Sequence, residues 1–110
     1  MDDIAEILAK ACEEADKAAQ AMKVHGDTGA IGSAYVVVPP AQKQVLKVLK
    51  SGKYGGGFGV TSGVYRGYQW EPRLSEFFGQ ALHFYAAAAE AAVKVLKEHG
   101  IDASVRYHWD

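Results

Sequence analysis

The chain has 110 residues, 49% of them hydrophobic and 23% charged, with a net charge of −1. That length suits one domain with one core, and that mix excludes a disordered or low-complexity chain. The near-zero balance excludes an extended grip on DNA or RNA, which needs many cations on one face, but leaves room for a small anionic ligand.

The first element predicted is a helix over residues 3–25. Ile4, Ile7, Leu8, Ala11, Ala15, Ala18 and Met22 recur at helical spacing. Asp3 with Glu6 three residues on resembles a capping box, and Gly26 ends the pattern. The stripe is rich in alanine, so another helix can approach closely, from the same chain or from a second copy. Cys12, the only cysteine, lies on this helix; it permits no internal disulfide and reads as a small apolar residue. Asp2 and Asp3 stand where a signal peptide needs basic residues. No apolar run nears the roughly 20 residues that cross a bilayer. The expectation is a cytoplasmic protein with no membrane contact.

Residues 27–32 read as a loop. Ala34, Tyr35, Val36, Val37 and Val38 form a continuous apolar run, the pattern of a central strand. Pro39 and Pro40 stop it, and Val45, Val48 and Leu49 then share a face of a short helix closed by Gly52. Residues 58–60 and 64–70 read as two strands, joined by a turn at Thr61, Ser62 and Gly63. Pro72 ends the second. Residues 74–96 carry the longest amphipathic pattern, with Phe77, Phe78, Leu82, Tyr85 and Leu96 among its apolar positions and Gly100 beyond it. Ala103, Val105, Tyr107 and Trp109 alternate with Ser104, Arg106 and His108, as in a half-buried strand. The order predicts a single α+β domain. Residues 1–26 form an extra N-terminal helix. Residues 33–110 form a ferredoxin-like β-α-β-β-α-β sandwich with its helices on one face.

Residues 54–70 hold six glycines and five aromatics in seventeen positions. Glycine in a strand marks a bulge or a close approach. No helix and no Gly-Lys-Ser/Thr follow the run, so neither a P-loop nor a dinucleotide fingerprint fits. Gly57-Phe58-Gly59 is only partly like the RNA-recognition strand motif. An anion nest of backbone N–H groups beside Lys53 and Tyr54 stays open. If Arg66 avoids the core, period two carries Tyr68 and Trp70 to its side, and Arg106 and His108 join them from the last strand. That platform, with Lys53 and Tyr54, is the candidate ligand site. Aromatics stack on planar ligands and arginine forks onto phosphate. Alternatively, Tyr68 and Trp70 pack under the first helix or in a dimer seam. The four histidines form no metal-ligand pair, and no catalytic constellation stands out, so no cofactor and no enzyme activity are expected. His108 with Asp110 is the one pair suited to proton handling.

Three pieces carry a resemblance to short phage and prophage proteins. The alanine-rich helix leads to His25-Gly26-Asp27 and then to Gly32-Ser33-Ala34-Tyr35-Val36. Residues 54–59 follow a short helix, and Gly100-Ile101-Asp102-Ala103 precedes a terminal Asp110. Where such proteins end Ser-Arg-x-Asp, this chain has Tyr107-His108-Trp109-Asp110. The resemblance implies a small accessory protein of a mobile element in a host cytoplasm. The functional expectation is a non-enzymatic, dimeric binding protein holding a small anionic or planar ligand such as a nucleotide, for instance a host defence signal. The alternative is an inhibitor of a host protein, or an assembly subunit, using the same aromatics as anchors.

Overall fold

The computed structural model describes residues 3–26, 29–60 and 67–109. In chain order the elements are α1 (Ile4–Ala21), a 3-10 turn (Met22–His25), β1 (Gly32–Val38), α2 (Lys43–Leu49), β2 (Gly55–Val60), β3 (Gly67–Pro72), α3 (Leu82–Glu98) and β4 (Ser104–Trp109). The fold is α+β with the N-terminal helix first. Its four strands form one sheet in the order β2-β3-β1-β4, and every neighbouring pair is antiparallel. The predicted turn at residues 61–63 and the strand start at 64–66 lie outside the described residues.

The Asp3 carboxylate accepts from the Ala5 N–H at 3.1 Å and caps α1. Gly26, at φ 68, turns the chain after the 3-10 segment. From α1, Ile7, Leu8, Ala11, Ala15 and Ala19 are buried in one cluster with Ala88, Ala89, Ala92 and Leu96 of α3 and Val36, Val38 and Trp70 of the sheet. Alanine on both helices keeps their axes close. The first helix therefore lies beside α3 on the same face of the sheet. The seven-residue α2, too short to cover the sheet, buries Val45 and Leu49.

Two element boundaries differ from expectation. α3 starts at Leu82 and not near residue 74. Gly79 takes φ 88, outside helical backbone, and Ile31 pairs with Ala81 as an isolated bridge. The Gly32 N–H donates to the Gln80 carbonyl at 3.0 Å and the Leu82 N–H to the Ala30 carbonyl at 2.8 Å. Those bonds hold Ala81 extended just before α3, although Phe78 still reaches the core. The second difference is β2, which begins at Gly55, so the glycine run is strand and not loop.

The loop after β3 is tied to α1. Asp16 accepts from both the Ser75 N–H at 2.9 Å and the Ser75 hydroxyl at 2.8 Å. Lys23 and Glu76 form an ion pair at 2.7 Å, and that pair holds the Glu76 carboxyl below its usual range.

Candidate functional site

Trp70 is not on an outer platform. It is 0% exposed, within the core cluster, and its indole Nε1–H donates to the Tyr54 carbonyl at 2.9 Å. Its strand partner is Val36, another core residue. Tyr68 shares that face and is half-buried against the same cluster. The expectation anchors parity on Arg66, whereas the register of β3 sets Trp70 beside Val36 in the core. Arg66 itself lies outside the described residues.

Arg106 and His108 lie on the opposite face. They pair with Tyr35 and Ser33 of β1, which alternate with the core residues Ala34 and Val36. The Ser33 hydroxyl donates to the Tyr35 hydroxyl at 3.1 Å. Tyr107, between Arg106 and His108, reaches toward the helices and donates its hydroxyl proton to Glu90 of α3. That bond raises the phenol above its ordinary range. The side chain of Trp109 and the suggested His108–Asp110 pair lie outside the described residues. Lys53 is exposed before β2, with its ammonium 5.8 Å from the centre of the half-buried Tyr54 ring. The described members of the expected site thus divide among the core, the outer face and the β2 turn.

The glycines of β2 explain why the aromatics turn inward. Gly55, Gly57 and Gly59 pair with Pro72, Trp70 and Tyr68. A Cβ on Gly57 would sit 2.3 Å from the Gln69 carbonyl oxygen and 2.7 Å from the Tyr68 ring. Every second residue of β2 is bare beside two large rings of β3. A sequence signal for this existed: glycines at 55, 57 and 59 and aromatics at 68 and 70 share one period of two.

A cleft of about 690 Å³ opens where the sheet splits. Pairing of β1 with β3 covers only Val36–Val38 against Tyr68–Trp70. The Arg73 N–H donates to the Tyr54 carbonyl beside β2, so by alternation the backbone of Pro72 and Trp70 faces β1. The next step would set Ala34 opposite Pro72, which has no N–H to give. The ladder stops there, and residues 80–82 take over as the neighbour of β1 only at Gly32. Ala34, Ala88 and Tyr85 line the gap between. Ile31 and Phe77 also line it, and they are 52% and 81% exposed. Glu71 borders the cleft, and its carboxylate has no ion-pair partner among the described residues. The sequence reading missed this site because it placed Phe77 and Tyr85 on one continuous helix.

Cys12 donates to the Tyr54 carbonyl at 3.3 Å. Burial pushes its thiol up, against a smaller opposing effect from Arg73. That is the chemistry of a packed thiol and not of a nucleophile. No group of three metal-ligating side chains occurs among the described residues. Among them, too, no helix is long and apolar enough to cross a membrane. Comparison with family models, curated proteins and solved structures gives no match for this chain.

Proposed function

We propose that this chain is a non-enzymatic protein-binding module that docks a partner at the split end of its sheet. The observation that carries this reading is the pair Phe77 and Ile31, both exposed on the rim of the 690 Å³ cleft. Single exposed apolar residues are ordinary, but large apolar side chains around a concavity mark interaction sites. Selection of binding peptides from a random display library tests it. Phe77→Asp and Ile31→Asp should each abolish capture of the selected peptides while leaving the melting temperature unchanged. Binders indifferent to both substitutions would overturn the reading. The same assignment takes the strand order as a ferredoxin-like arrangement in which α1 stands beside α3 in place of a full crossover helix. It also fits an accessory protein of a mobile element acting on a host protein.

A second reading keeps a small anionic ligand, such as a nucleotide, on the outer face. It is favoured by Gln69, 1% exposed, whose Nε2 has no hydrogen-bond partner among the described residues. Gln69 shares that face with Tyr35 and Arg106 by register. A ligand at a hundred times its Kd adds about 2.7 kcal/mol to stability. A nucleotide panel that shifts the melting of the native protein but not of Arg106→Ala supports this reading. No shift with any nucleotide removes it.

A further inference from the structure

We infer that the cleft selects an extended segment carrying an apolar side chain next to a lysine or arginine; this rests on the docking reading above. Three observations converge. The rim and walls offer Phe77, Ile31 and Leu74 to an apolar side chain. Glu71 borders the same space, exposed and without an ion-pair partner among the described residues, so it meets a cation. The second carboxylate at the cleft, Glu76, is already engaged by Lys23 at 2.7 Å. Selectivity for charge therefore falls to Glu71.

The third observation concerns backbone. Ala34 lines the cleft at the step where β1 loses β3, and Pro72 cannot supply a donor to its carbonyl. An incoming extended chain brings a row of N–H groups at strand spacing, the means by which peptides add to sheet edges. A segment lying across the gap gives one N–H to Ala34 while its apolar side chain enters beside Phe77. A cation on the adjoining residue then meets Glu71. A small apolar ligand would fill the walls but satisfy neither the carbonyl nor the carboxylate.

The test uses fluorescein-labelled hexapeptides with blocked ends. Each carries one Phe, with Lys, Gln or Glu scanned through the neighbouring positions, and binding is read by anisotropy. In the wild-type protein the best Lys peptide should bind roughly fivefold tighter than its Gln counterpart, the worth of one partly exposed ion pair. The Glu counterpart should be weaker still. Glu71→Gln should level the three, and Phe77→Ser should remove binding of all. Methylating the peptide nitrogens one at a time should cost affinity at a single position. Equal binding of the three peptides, or a Lys preference that survives Glu71→Gln, overturns the proposed selection while leaving the docking reading intact. Indifference to every N-methyl group overturns the strand-edge contact. Failure of all peptides to bind the wild-type protein sinks the docking reading itself.

Discussion

Replacing Gly57 with alanine isolates the role of the bare flank of β2. The new methyl would meet the Gln69 carbonyl oxygen at 2.3 Å and the Tyr68 ring at 2.7 and 2.8 Å. The ring can swing aside, but the carbonyl is part of the β2–β3 ladder, so relief requires the strands to separate. Overpacking of this kind costs about 1–3 kcal/mol. The loss of unfolded-chain freedom on going from glycine to alanine offsets roughly 0.4–1 kcal/mol of that. The net expectation is a loss of about 1–2 kcal/mol. Gly56 is the control, because a Cβ there meets nothing within 4 Å. Gly56→Ala should be neutral, or more stable by roughly 0.4–1 kcal/mol. In a domain of this size 1 kcal/mol moves the melting temperature by about 4–8 °C. The two variants should then differ on the order of 10 °C. Thermal melts and urea titrations followed by circular dichroism give both numbers. Gly57→Ala as stable as Gly56→Ala would refute the account of why β2 is glycine-rich.

Trp70→Ala empties the largest fully buried side chain of the core. It should cost about 3–5 kcal/mol in urea denaturation; a loss below 1 kcal/mol would place the indole outside the core. Asp16→Ala removes the acceptor of two Ser75 bonds between α1 and the loop. It should cost about 1–2 kcal/mol and speed amide exchange at Ser75. Burial holds the Cys12 thiol of the folded protein above its ordinary range. A raised pKa contributes stability that is complete below the unfolded value and is lost as pH rises through the folded value. Between pH 8 and pH 10 the wild-type urea midpoint should therefore fall more steeply than that of Cys12→Ala. Parallel slopes would remove the thiol from the account. Below pH 7 this group should give no difference in slope between the two proteins.

Elements defined by periodicity alone were legible in the sequence. The alanine stripe of α1, the β-branched run of β1 and the alternation of β4 needed no knowledge of distant contacts. α3 was legible only from Leu82 onward. Nothing local to residues 74–81 reveals that Ile31 will claim Ala81 as a bridge partner. The face of Trp70 was misread for a related reason. A charged residue served as the parity anchor, while the place of the indole is set by a distant partner, Val36 of β1. The cleft could not be foreseen, since it arises from two distant events: a proline facing β1 and a bridge made by a segment expected to be helical.

The packing of α1 on α3 has a consequence for synthesis. The first helix leaves the ribosome long before the helix that covers it, and Leu8, Ala11 and Ala15 lack Ala88, Ala89 and Ala92 to lie against until α3 is made. Translation stalled before α3 would leave that stripe bare, and a chaperone that reads apolar helices would meet it there. The core of this domain thus closes only once α3 follows, with the earlier helix waiting on the later one.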